Sequence, residues 1–106
     1  MLTLPQKIGI ANRQGWAAYS KNKTLFVKKT VYREGVPYPD FGSSMEAYTA
    51  EAFMEIESLG PLHHLEPDGF AEHVEQWSLF EKVEIGDNDE SIEKAINPLI
   101  KKSMTK

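Results

Sequence analysis

Between Phe53 and Leu62 the chain reads Phe-Met-Glu-Ile-Glu-Ser-Leu-Gly-Pro-Leu, and no other stretch limits the fold as much. Side chains alternate faces along an extended strand, so Phe53, Glu55, Glu57 and Leu59 share one side and Met54, Ile56 and Ser58 the other. Gly60-Pro61 then ends the strand. Glu55 and Glu57 stand roughly 7 Å apart on one face. That spacing suits a sugar or metal site, and it equally suits a solvated sheet surface, where charged residues mostly lie.

The same period of two recurs along the chain. Lys7 to Asn12 reads as a strand ended by Asn12-Arg13-Gln14-Gly15, and Trp16 to Ser20 as a second. Lys21-Asn22-Lys23 has the length and chemistry of a hairpin turn, with Asn22 tolerant of positive φ. Thr24 to Tyr32 is rich in β-branched and aromatic residues, with both faces mixed. Arg33 to Ser44 holds two prolines and two glycines and reads as a loop. Met45 to Thr49 fits a strand, with a kink or bulge at Ala50-Glu51-Ala52, although propensity alone also allows a helix over Met45 to Met54. Ala71 to Val83 is expected to be the longest strand. Beyond Ile85-Gly86-Asp87-Asn88-Asp89 the period changes: Ile92, Ala95, Ile96, Leu99 and Ile100 recur at helical spacing. Asp87 or Asp89 is the expected N-cap, with Glu90 completing a capping box behind Asp87. Pro98 predicts a helix that stops near Asn97 or kinks there, followed by a frayed lysine-rich tail.

The expectation is therefore one mainly β domain over 1–106: an antiparallel β-sandwich of about six strands across 8–84, then a C-terminal helix and tail across 89–103. A chain of 106 residues supports a modest core. It has no cysteine, which excludes disulfides, thiolate metal sites and a cysteine nucleophile. Met-Leu-Thr-Leu-Pro-Gln-Lys shows no charged start followed by an apolar run, and 18 consecutive apolar residues occur nowhere, so a cytoplasmic protein without a membrane partner is expected.

The net charge of −4 hides an uneven distribution. Met1 to Arg33 carries seven Lys or Arg and no acid, whereas Glu34 to Glu93 carries all sixteen acids against Lys82 alone. The two segments attract each other if they share a sheet. The lysines alternate with core positions and no binding motif accompanies them, so no nucleic-acid partner is expected. His63 and His64 sit in an acid-containing loop, yet their spacing matches no zinc pattern, and Asp87 to Asp89 lacks the glycine and the ligand spacing of a calcium loop. No metal or cofactor is expected.

If the Ala71–Val83 strand neighbours the acidic one, Glu55, Glu57, His73, Glu75 and Trp77 line a groove with acids at its floor and an indole at its edge. Tyr38, Asp40 and Phe41 in the long loop offer a ring and an acceptor to a sugar, whose C–H face stacks on aromatics while its hydroxyls seek carboxylates. Lys28 is then a counter-ion for the acids or for a ligand's oxygens, or else a snorkelling surface lysine. The bland alternatives are that Tyr38 plugs an end of the fold and Trp77 is core.

Phe53-Met-Glu-Ile-Glu-Ser-Leu-Gly-Pro, followed by Leu65-Glu66-Pro67-Asp68-Gly69 and by Glu75-Gln76-Trp77, resembles the C-terminal part of galactose-mutarotase-like (aldose epimerase-like) β-supersandwich proteins of uncharacterised bacterial branches. Gly15-Trp16-Ala17-Ala18-Tyr19, Leu25-Phe26-Val27-Lys28 and Tyr38-Pro39-Asp40 extend the likeness over about Ile8 to Glu84. In that family a glutamate takes the anomeric proton and a histidine protonates the ring oxygen. The resemblance implies Glu57 as the base, with Glu55 second. The family's acid histidine lies upstream of its base, whereas His63, His64 and His73 all come after Glu57, so the chain looks like the last third of a supersandwich. The resemblance thus implies a module that binds a sugar or sugar phosphate and is not catalytic on its own, with Lys28, Tyr38, Asp40, His73, Glu75 and Trp77 near the ligand. Exposed strand edges would favour homo-oligomers. The alternative is a structural or oligomerisation domain with no small-molecule activity.

Overall fold

Alternating apolar patterns become ladders only where two of them meet in register. The computed structural model describes residues 4–103. Among these, the elements run β1 (Gln6–Ile10), β2 (Trp16–Lys21), β3 (Thr24–Lys29), α1 (Pro39–Gly42), β4 (Met45–Thr49), β5 (Met54–Ser58), β6 (Gln76–Phe80) and α2 (Asp89–Ser103). The protein is mainly β: six strands form two antiparallel three-stranded sheets, ordered β1-β4-β5 and β2-β3-β6, with one C-terminal helix. The contacts divide the chain into two compact units. One comprises the described residues up to Trp16 with Thr30–Glu75, and the other Ala17–Lys29 with the described residues from Gln76 on.

In the first unit β4 is central. Gln6 to Ile10 lie opposite Thr49 to Met45, and Met45 to Thr49 opposite Ser58 to Met54. Residues directly opposite share a face, so Lys7, Gly9, Glu46, Tyr48, Glu55 and Glu57 form a polar face, and Ile8, Ile10, Met45, Ala47, Met54 and Ile56 an apolar one. The β4–β5 connection is a tight hairpin in which Ala50 N–H donates to Phe53 O at 2.9 Å.

In the second unit Asn22 (φ 52°) and Lys23 (φ 62°) are both left-handed, the geometry of a two-residue hairpin turn whose twist matches its strands. Leu25 and Val27 of β3 are fully buried, on the face shared with Ser78 and Phe80 of β6. Burial of side chains of this size contributes about 1.5–3 kcal/mol each. The end of α2 is tied to the same sheet: Lys29 Nζ and Gln76 Nε2 donate to Ser103 O at 2.9 and 3.2 Å. A cation there satisfies a terminal carbonyl and complements the helix dipole.

Three expectations need correction. Ala71 to Val83 is not one long strand, because β3 offers a partner only from Leu25 to Lys29, and the ladder is confined to Gln76–Phe80. The helix does not stop near Asn97; it continues through Pro98 to Ser103, and the rest of the expected lysine-rich tail lies outside the described residues. Pro98 is exposed and off the apolar stripe, while Ile100 and Ser103 are buried, and their anchoring offsets the ~3 kcal/mol proline penalty. The N-cap is Asn88, neither Asp87 nor Asp89: its Oδ1 accepts from Ser91 N–H at 2.8 Å, the third helical position.

Lys23 holds a left-handed backbone that costs a side-chain-bearing residue about 1–2 kcal/mol. Its ion pair with Glu84, 3.0 Å between two exposed groups, returns little. Lys23→Gly is expected to stabilise the protein by about 0.5 kcal/mol in urea denaturation, after the extra entropy of a glycine in the unfolded chain.

Candidate functional site

The polar face of the β1-β4-β5 sheet sets two glutamates against each other. Glu46 lies directly opposite Glu57, and like charges in that relation destabilise a sheet. Lys7, from the neighbouring strand, resolves the conflict: its Nζ is 3.1 Å from Glu46 Oε1 and 3.6 Å from Glu57 Oε1. The Glu46 side chain is 4% exposed, that of Glu57 43%.

A strained turn places a third carboxylate there. In α1, Asp40 (φ 50°), Phe41 (φ 62°) and Gly42 (φ 88°) are all left-handed. The turn is held by Ser43, whose N–H donates to Pro39 O at 2.9 Å and whose hydroxyl donates to Asp40 O at 2.8 Å. Ser43 in turn sits over Gly9, where a β-carbon would collide with its hydroxyl and come within 3.3 Å of Glu46 Cγ. Only glycine at position 9 lets α1 approach the sheet this closely.

The approach brings Asp40 into hydrogen bond with Glu46, which raises the Glu46 pKa above its ordinary 4.5; the hydrogen bond from Lys7 opposes that rise, while burial and the Asp40 charge add to it. Lys7 is raised above 10.5, first by its hydrogen bond to Glu46, then by the charges of Glu46 and Glu57. The result is an open depression of about 440 Å³, floored by Gly9 and Glu46, walled by Lys7, Asp40 and Ser43, with Phe41 at its rim. Phe41 is fully exposed.

A second cluster lies on the other face of β5. Ser58 Oγ is 2.7 Å from His73 Nε2 and donates to Glu75 Oε2. One hydroxyl has one proton, so with Glu75 a carboxylate the imidazole Nε2–H is the donor to Ser58. This arrangement fixes a tautomer, and it does not activate Ser58 as a nucleophile.

The expected groove residues are thus distributed. Glu57 and Asp40 meet around Lys7 and Glu46; His73 and Glu75 meet on Ser58; Glu55 is exposed, opposite Tyr48. Trp77 and Lys28 face each other across the other sheet, with Lys28 Nζ 5.6 Å from the indole centroid and Phe26 packed edge-on at 5.6 Å. Strands β5 and β6 belong to different sheets, so the pairing on which the single groove depended does not form. Trp77 is 66% exposed and Lys28 8%, which reverses the core and snorkelling readings of these two residues. Tyr38 is buried, stacked on Tyr32 at 5.1 Å, and its oxygen accepts from Arg33 N–H at 2.9 Å.

Lys7, Glu46 and Ser58 were not singled out from sequence, whereas Phe41 was, as a loop ring beside Asp40. Glu46 had a signal: a hairpin closed by Ala50 and Phe53 counts back to Glu46 opposite Glu57. Lys7 had none, since its neighbours come from pairing forty residues away. No group of three His, Cys, Asp or Glu is placed to hold a metal among the described residues, and none of their helices is long and apolar enough to cross a membrane. No protein-family model, curated protein or solved structure matches the chain.

Two measurements test this geometry. Gly9→Ala must push Ser43 off its bond to Asp40 and is expected to cost about 1–3 kcal/mol in denaturant unfolding. Folded Glu46 holds its proton to higher pH than the unfolded chain, so between 4.5 and its raised value the native state binds more protons and this group's contribution to stability falls as pH rises. Thermal melts should show that slope in the wild type and a flatter one in Glu46→Gln.

Proposed function

We propose that the chain is a carbohydrate-binding module whose sugar rests in the depression over Gly9 and Glu46. The observation that supports this most is the combination of a buried, ion-paired carboxylate at the floor with an exposed aromatic ring at the rim. Carboxylates accept pairs of sugar hydroxyls, Lys7 donates to a ring or hydroxyl oxygen, and the Phe41 face takes the C–H side of the pyranose. A volume of about 440 Å³ fits a small-ligand site. Asp40, Glu46 and Glu57 outnumber Lys7, so the site favours a neutral hexose over a hexose phosphate. The reading agrees with the resemblance to the mutarotase-like proteins, with Glu57 outside the lining and joined to it through Lys7, and assigns no catalytic step to this chain alone. A cytoplasmic location belongs to the same reading.

Calorimetric titration with neutral hexoses tests it. Glu46→Gln and Phe41→Ala should each weaken binding tenfold or more, equivalent to about 1.4 kcal/mol, and hexose phosphates should bind less well. Trp77→Ala should leave affinity unchanged. Loss of binding in Trp77→Ala with retention in Phe41→Ala would move the sugar to the β3–β6 face and end the proposal for the depression.

A further inference from the structure

Strand β1 is the edge of its sheet, and all five of its residues are exposed, Ile8 at 64% and Ile10 at 52%. Half the backbone groups of an edge strand point away from their sheet, a template for another strand. Gln6–Ile10 contains no proline, and its one charge, Lys7, is paired with Glu46 and Glu57 of its own sheet. We infer that a second copy of this chain pairs antiparallel along β1, with the two-fold axis at Ile8.

Charge selects both the edge and the register. Self-pairing of β5 about Ile56 would set Glu55 against the partner's Glu57, and like charges directly opposite disfavour it. Self-pairing of β1 about Lys7 would set two ammonium groups against each other. Pairing about Ile8 sets Ile8 against the partner's Ile8 and Gln6 against the partner's Ile10, covering apolar surface. It also places Lys7 beside the partner's Gly9, over which the Ser43 hydroxyl of that copy sits. Gly9 lies opposite Glu46 in the β1–β4 ladder. Each Lys7 therefore stands between its own Glu46 and the partner's Glu46, and opposite charges alternate across the junction.

Antiparallel pairing of this kind keeps the polar faces of both copies on one side of a six-stranded sheet. The two depressions become neighbours, and each gains the partner's Lys7 at its open side. This second consequence, a groove long enough for more than one sugar ring, rests on the carbohydrate reading; the pairing itself does not.

The chain has no cysteine, so Ile8→Cys introduces a single thiol. Residues opposite each other in an antiparallel pair have Cα atoms about 4.5–5.5 Å apart, within disulfide range. Under mild oxidation Ile8→Cys is expected to convert almost wholly to a covalent dimer. Gln6→Cys should not, since its two copies would lie four residues apart, roughly 13 Å along the strands. Sedimentation of the wild type should show a dimer that Ile8→Lys abolishes while its circular dichroism stays that of the folded chain. A monomeric wild type across the concentration range, or cross-linking of Gln6→Cys as complete as that of Ile8→Cys, overturns the pairing. Hexose binding by a monomer would leave the carbohydrate reading standing and remove this inference; a dimer that binds no hexose would do the reverse.

Discussion

A lysine reaching two glutamates is the interaction on which the first unit depends. The β4–β5 hairpin sets Glu46 against Glu57, a placement that by itself opposes the sheet. The ammonium of Lys7, 3.1 and 3.6 Å away, converts a repulsive pair into a bridged one and in doing so ties β1 to both other strands. The bridge is partly shielded, since Glu46 is buried, and so is stronger than an exposed pair of the same length. Sheet order and site chemistry thus share one cause.

The turn above it is expensive in backbone terms. Two side-chain-bearing residues, Asp40 and Phe41, occupy left-handed conformations that ordinarily cost about 1 kcal/mol or more each. What holds them is local: the Ser43 hydrogen bonds to Pro39 and Asp40, the space left by Gly9, and the hydrogen bond between Asp40 and Glu46. Strain of this sort persists where neighbours over-determine it, and here its product is an aromatic ring turned outward beside a buried carboxylate.

The second unit is organised differently. Its core is Leu25 and Val27 against β6 and the end of α2, and its polar contacts finish a helix rather than build a site. The cost of Pro98 inside α2 is absorbed because the last turn is anchored by Lys29 and Gln76. On the opposite face, Phe26 and Lys28 hold the exposed Trp77 ring in place.

Local rules determined much of this protein from sequence alone. The period of two in Met45 to Thr49 and Phe53 to Leu59, the Asn22 turn and the helical stripe after Asp89 each depend on residues within a few positions, and each appears as expected. Residues on one strand face are also legible, which is why Glu57 was in view, and Asp40 was in view from the long loop that carries it. Which strand lies beside which is a different matter. The sheet order β1-β4-β5 joins segments forty residues apart, and no local preference distinguishes it from an arrangement with β5 next to β6. That choice is made by burial and charge summed over the whole fold. It put Lys7 and Glu46 into the site, sent Trp77 and Lys28 to another sheet, and shortened β6 to the length of its partner. The alternation of side chains is a property of the backbone, and the company they keep belongs to the tertiary structure.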